Sequence, residues 1–339
     1  MADMGLFNNE AFEQVTFTDS IQKIDFQPSL LRDMKIFAPQ PSRTTGIMLE
    51  LDTKTNSLIA VSQRGQPLTE AERRKRNIRT VETHRLAIAS TVYASEVQNI
   101  RAYGKTSELM QLKDLVADGV ERSNGDLALT EENMMLGAVQ GIVVDSDGST
   151  ILNNWFDFWG VTQPTEVAFD FANATDDEIR RTIKSIQRGV VDAARGLAVT
   201  EIVALCGDDF FDDLIGCGAY TGTVQNPIEA QRLTDEYGIA YSTVTFGKIT
   251  WINYRGSQSE SAVSIGTDLV KFFPRAKGLF KQGLGCAEFG PFVNTPGKER
   301  YVINIPDRDR DAWMKTELYT YPLFYCTRPE VLFRGKRGA

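Results

Sequence analysis

The sequence is short of the residues on which most site chemistry is built. Histidine occurs once, at His84, in 339 residues. A metal site with two imidazoles cannot be assembled from it, and a Ser-His-Asp triad would have to pass through that one ring. Cysteine occurs four times, at Cys206, Cys217, Cys286 and Cys326, with no Cys-x-x-Cys pair. Thiols so scattered are expected to be reduced and buried in a reducing compartment, not joined in a disulfide or zinc framework. No run of eighteen apolar residues is present, so no membrane-spanning helix is expected. Basic charge is lacking too. Against 45 Asp and Glu stand 37 Lys and Arg, a net charge of -8, the wrong sign for a protein that grips nucleic acid by counterion release. Met1 to Phe7 has no basic stretch leading into an apolar one, so no secretory signal is expected. Neither Gly-x-x-x-x-Gly-Lys-Ser/Thr nor Gly-x-Gly-x-x-Gly occurs, and Gly283-Leu-Gly285 is too short to cradle a phosphate.

What is present describes an ordinary folded protein: 42% hydrophobic, 24% charged and only 12 prolines, long enough for two or three lobes with cores of their own. Residues 1–45 carry Phe7, Phe12, Phe17, Phe26 and Phe37 at loose intervals, as an arm lying across a neighbour would. Ile47, Leu49 and Leu51 alternate, Thr53 to Asn56 reads as a turn, and Leu58, Ile59 and Val61 supply a partner strand. A basic stretch follows, Arg73, Arg74, Lys75, Arg76 and Arg79; it is either a solvated face or a loop that meets acidic surface on another subunit. Extended structure resumes at Ile78 and runs to Ala87.

From Thr91 to Gly141 the period is helical, with Leu109, Leu112, Val116, Val120, Met134, Met135 and Ala138 three or four apart. Asp147-Gly148 is a hairpin turn between Ile142–Val144 and Thr150–Leu152. The aromatic run Trp155 to Trp159 and the alternating Val167 to Phe171 are expected to continue that sheet. Thr175 and Glu178 form a capping box for a helix with the stripe Ile179, Ile183, Ile186 and Val190, ending at Gly196. A buried strand at 200–205, a short helix near Asp209–Ile215 and a hairpin joined at Gly247-Lys248 come next.

His84 lies in an alternating stretch with no Gly-x-Ser-x-Gly elbow elsewhere, so it is expected to be structural. Asp145-Ser-Asp147-Gly148 opens like a calcium loop, but glycine stands fourth and Phe156 occupies the twelfth place where glutamate is required. Asp208, Asp209, Asp212 and Asp213 could attract a hard cation; capping of a helix N-terminus is the simpler expectation. Asp307-Arg-Asp-Arg-Asp311 alternates in sign and suits ion pairing. No cofactor is implied and no catalytic set emerges.

The C-terminal stretch Glu317-Leu-Tyr-Thr-Tyr-Pro-Leu-Phe-Tyr-Cys-Thr-Arg-Pro-Glu330 is a β-forming run without catalytic residues. With Phe17-Thr-Asp-Ser-Ile21, Leu30 to Phe37, Ser95-Glu-Val-Gln-Asn-Ile-Arg-Ala-Tyr-Gly104 and Gly137-Ala-Val-Gln-Gly-Ile-Val-Val-Asp-Ser-Asp-Gly-Ser-Thr150, it resembles the lambda-type major capsid protein E family of tailed phages. The resemblance covers nearly the whole chain.

The resemblance implies an α+β, Hong Kong 97-like phage capsid fold. It implies an N-terminal arm (1–45), an extended loop (46–85), a spine helix and peripheral domain (86–174), an axial domain (175–311), and a returning strand of the peripheral domain (312–339). The C-terminal run would close the peripheral sheet beside the 142–171 strands. The implied function is structural, with no enzyme activity: a subunit forming hexamers and pentamers of an icosahedral shell around double-stranded DNA in the virion. Such a shell would be assembled in the bacterial cytoplasm with scaffolding, portal and decoration proteins as partners. The DNA would be enclosed without sequence-specific binding, and no membrane would be involved. An encapsulin-like nanocompartment is the alternative. The contacts expected to serve assembly are Arg73, Arg74, Arg76 and Arg79.

Overall fold

The computed structural model describes residues 30–52, 76–95, 108–222, 241–254, 265–310 and 312–338. Helix α1 (Leu30–Asp33) buries Leu30 and Leu31 and leads through the buried Phe37 into β1 (Ala38–Pro41). Residues 30–45 of the expected arm thus pack on their own chain; 1–29 lie outside the described residues. Strand β2 (Gly46–Asp52) pairs antiparallel with β3 (Arg76–Glu82), from Gly46 opposite Glu82 to Asp52 opposite Arg76. This pairing fits a long hairpin over 46–85; the expected strand at 58–61 and the turn at 53–56 lie outside the described residues.

Strand β4 (Leu86–Tyr93) follows after a break at 83–85, so Thr91 to Tyr93 extend a strand and do not begin the helix. The β-branched Thr91 and Val92 fit the pleat, and Val92 is buried in a cluster with Val116 and Val120. Helix α2 (Glu108–Gln140) is 33 residues long, about 50 Å at 1.5 Å per residue. Its buried face includes Val116, Val120, Leu127, Met134, Met135 and Ala138. Gly141, at φ +86°, ends it in the left-handed region.

The hairpin of β5 (Ile142–Val144) and β6 (Ile151–Asn154) turns at Asp147-Gly148, as the sequence indicates. The aromatic run departs from expectation: it is helix α3 (Trp155–Trp159). The Asn154 side chain accepts from the N–H groups of Phe156 and Asp157, and Trp155, Phe156 and Trp159 fall on its buried side. A side-chain cap one residue upstream outweighs aromatic β propensity. Strand β7 (Val167–Ala168) does not continue the 142–154 ribbon either; it joins a different sheet, described below.

Helix α4 (Asp176–Ala194) buries Ile179, Ile183, Ile186 and Val190 in the expected stripe. Then come β8 (Val199–Cys206), α5 (Asp208–Gly216), α6 (Gly218–Thr221), β9 (Thr243–Phe246) and β10 (Ile249–Asn253). The last two form the Gly247-Lys248 hairpin, with φ +60° and +59° at its tip. The chain finishes with β11 (Leu269–Ala276), β12 (Phe280–Leu284), β13 (Tyr301–Pro306), β14 (Trp313–Thr320), β15 (Pro322–Cys326) and β16 (Phe333–Lys336).

A six-stranded mixed sheet runs β7-β16-β11-β8-β10-β9, and α4 and α5 pack on it. Two three-stranded sheets, β1-β12-β15 and β13-β14-β4, gather along α2. The C-terminal run enters both of these and pairs with neither β5–β6 nor β7; only β16 reaches β7. Strands β12 and β13, within the segment expected to be axial, pair with β15 and β14.

Candidate assembly surfaces and a buried ion knot

The middle of α2 carries two carboxylates into the interior, Glu131 (0% exposed) and Glu132 (4%). Arg300, 2% exposed, donates a two-pronged fork to Glu131, Nη1 to Oε1 at 2.5 Å and Nη2 to Oε2 at 2.8 Å. Arg32 Nη2 reaches Oε2 from α1 at 2.8 Å, and Thr320 of β14 donates to Oε1 at 3.3 Å. Asn124, two turns earlier on α2, accepts from Arg300 Nε at 3.0 Å. Glu132 accepts from the Leu31 N–H at 3.0 Å and from the Tyr254 hydroxyl at 3.1 Å. Burial, reinforced by the Glu132 charge, pushes the Tyr254 phenol far above its ordinary range, so it remains a donor. Two carboxylates and two guanidiniums cancel, which is what makes their burial tolerable. Sequence reading passed over this knot, although adjacent acids between the apolar Leu127 and Met134 were a usable signal.

The β2–β3 ribbon has two unlike faces. Ile47 and Leu49 are buried, and Ile47 Cδ1 sits where a Cβ on Gly283 would stand. The opposite face shows Met48 (72% exposed) and Ile78 (55%) to solvent. Arg79 donates to the Phe158 carbonyl and lies 5.6 Å over the Phe158 ring, so it anchors the ribbon to α3 of its own chain. Arg76 stands opposite Asp52 in the ladder. Arg73 and Arg74, and the side chain of Arg76, lie outside the described residues.

At the ribbon's end, His84 Nε2 lies 2.6 Å from Asn153 Oδ1; the amide oxygen accepts, so Nε2 carries the proton. Arg85 pairs with Glu288 at 3.0 Å and covers the Tyr319 ring at 5.0 Å. The single histidine thus joins the ribbon to β6.

The acidic segment distributes itself differently from the expected cap. Gly207 is the N-cap, and Asp208 and Asp209 occupy the first turn, where they favour the helix dipole. Asp208 accepts from Asn253 Nδ2 at 2.8 Å, and Asp213 pairs with Arg337. Among the described residues no three His, Cys, Asp or Glu side chains gather as a metal cage. Asp147 accepts from the N–H and hydroxyl of both Ser149 and Thr150, which hold its carboxyl well below the usual range. Asp307 accepts from the N–H groups of Asp309 and Ala312, and these backbone donors, with the Arg310 charge, hold its carboxyl below the usual range. All four cysteines are free; Cys206, Cys286 and Cys326 are buried, but Cys217 is only half-buried, at the junction of α5 and α6.

A long helix flanked by small sheets, a separate six-stranded lobe and a projecting two-stranded ribbon make up the Hong Kong 97-like fold of phage capsid proteins. A prophage capsid protein from E. coli CFT073 aligns at TM-score 0.63 and 14% identity, over 96% of this chain and 98% of that one. The capsid protein of cyanophage Pam1 aligns at TM-score 0.55 and 10% identity, over 93% and 94%. In sequence the chain is 24% identical over 345 residues to the major capsid protein of Pseudomonas phage KPP10, covering 96% of this chain and 97% of the relative. It is 24% identical over 350 residues to that of Salmonella phage Felix O1, covering 93% of each. The family model described as phage major capsid protein E matches residues 13–337, and the chain belongs to that family.

Proposed function

We propose that the chain is a shell subunit whose copies gather as hexamers and pentamers into the icosahedral capsid of a tailed double-stranded DNA phage or prophage. The observation that carries this reading is the family match from residue 13 to 337, nearly end to end. Its role is assembly, not catalysis. Many weak interfaces, each repeated around a closed shell, sum to a stable container. The ribbon, with Met48 and Ile78 turned to solvent, supports the extended-loop role for 46–85 by offering apolar area that a neighbouring copy would cover.

In this reading α2 is the spine. The six-stranded lobe is the axial domain, and β12 to β15 belong with the peripheral sheets. Arg73, Arg74 and Arg76 meet acidic surface of an adjacent subunit, while Arg79 holds the ribbon's base. The acidic chain encloses DNA without gripping its sequence, since a basic lining would hinder packing and release. Scaffolding, portal and decoration proteins would be partners, with assembly in the host cytoplasm. A nanocompartment shell is not favoured, because the family and both curated relatives are phage major capsid proteins.

Sedimentation and negative-stain microscopy of the purified chain test this. Rings or closed particles are expected; strict monomers under every assembly condition would sink it. Reversing Arg74 and Arg76 to Glu is expected to weaken assembly more than subunit stability, and equal effects on both would count against their role.

A further inference from the structure

Strands β11 and β16 place Lys271 directly opposite Arg334, so the two side chains leave the same face of the six-stranded sheet. The same cross-strand row continues through Leu205 and Ile252, both fully buried. Two cations thus adjoin an aliphatic floor on adjacent strands, an arrangement that destabilises a sheet when nothing lies between them. Three other half-buried arginines are matched: Arg337 with Asp213 and Asp268, Arg275 with Glu201, and Arg328 with the Ala194 carbonyl.

Lys271 and Arg334 have no such partner among the described residues. Among the described residues neither side chain makes an ion pair or a hydrogen bond, and the Arg334 Nε is buried without an acceptor. Among the described residues the carboxylate acting on Lys271 is Glu166, just before β7. Burial, and then the Arg334 charge, push the Lys271 ammonium below its ordinary value; Glu166 opposes them only in part. One carboxylate for two cations leaves a positive charge at a half-buried but reachable spot.

We propose that Lys271 and Arg334 form an intersubunit receptor for a carboxylate of a second copy of this chain. The inference rests on the shell reading above. A carboxylate presents two oxygens, and a guanidinium beside an ammonium matches them while relieving the like-charge contact. Charge complementarity favours another copy as the source, because the chain carries eight more acidic than basic residues (45 against 37).

The test is an inversion of sign. In Lys271→Met and Arg334→Gln, the unassembled subunit is expected to melt at the wild-type temperature or above it. The concentration needed for particle formation is expected to rise about tenfold. Amine-directed acylation read by mass spectrometry is expected to modify Lys271 in free subunits and spare it in particles, while the exposed Lys277 reacts in both. Unchanged assembly in both variants, or equal Lys271 labelling in both states, overturns the proposal. So does a melting loss that matches the assembly loss, which would make the pair a fold element. Protection only in particles that contain DNA overturns the second-copy assignment in favour of a phosphate. A wild-type chain that forms no particles removes the shell reading and this inference with it.

Discussion

The two largest interiors of this subunit are held by different means. Around α2, apolar packing surrounds the Glu131–Arg300–Arg32 and Glu132–Tyr254 contacts, which join α1, α2, the start of β13 and the end of β10. Among the described residues the core of the six-stranded lobe holds no buried charged side chain. Its rings, Phe169, Phe210, Trp251 and Phe272, meet at centroid distances between 5.1 and 6.3 Å, as Phe37 meets Phe280 and Phe324 near α2 at 5.3 Å. A carboxylate gripped by two guanidiniums is satisfied in one arrangement, while aliphatic and aromatic surfaces tolerate some sliding. The difference teaches where register is specified. Segments 99 to 189 residues apart meet at the ion knot, and there the chain uses charge.

Breaking the knot should have the largest effect. Glu131→Ala leaves Arg300 buried without its partner and is expected to cost about 3–5 kcal/mol in chemical denaturation. Replacing the pair together, Glu131→Leu with Arg300→Met, should recover most of that loss. A double variant as weak as the single one would mean that shape, not charge, matters there. In the aromatic lobe, Trp251→Phe removes the Nε1 bond to the Phe246 carbonyl (3.0 Å) and some volume. About 1–2 kcal/mol is expected, with no rescue by any charged partner.

Smaller again is the α4 cap. The Glu178 carboxylate accepts from both the N–H and the hydroxyl of Thr175 at 2.8 Å, and Thr175→Ala should lower stability by about 0.5–1 kcal/mol. The smallest effect is at the exposed Asp147 turn. Its folded pKa is depressed, so its contribution is present above the unfolded aspartate value near about 4 and is lost only as pH falls through the folded one. The Ser149 and Thr150 amide resonances should therefore hold their positions at pH 3; an ordinary titration midpoint near 4 would contradict the hydrogen-bond geometry.

What was legible in the sequence was local. The Ile179–Val190 stripe with its cap, the Asp147-Gly148 turn and the Gly247-Lys248 hairpin depend on neighbours a few residues away, and they stand where expected. The capsid fold and family were legible through ordered segments spread along the chain. What was missed was set at long range or by one polar atom. Asn154 converts an aromatic run into α3, and the C-terminal run joins β4, β12 and β13 rather than β5–β6. Glu131 and Glu132 look like solvated helix residues until Arg300, Thr320 and Tyr254 arrive from far along the chain.

The central claim, that this is a shell subunit whose solvent-facing ribbon is made to be covered, is tested most directly by cryo-electron microscopy of the assembled particles. The expected map places the Met48 and Ile78 face of each ribbon against a second copy. A closed shell in which that face stays in solvent, or a preparation with no repeating contact between copies, would contradict it.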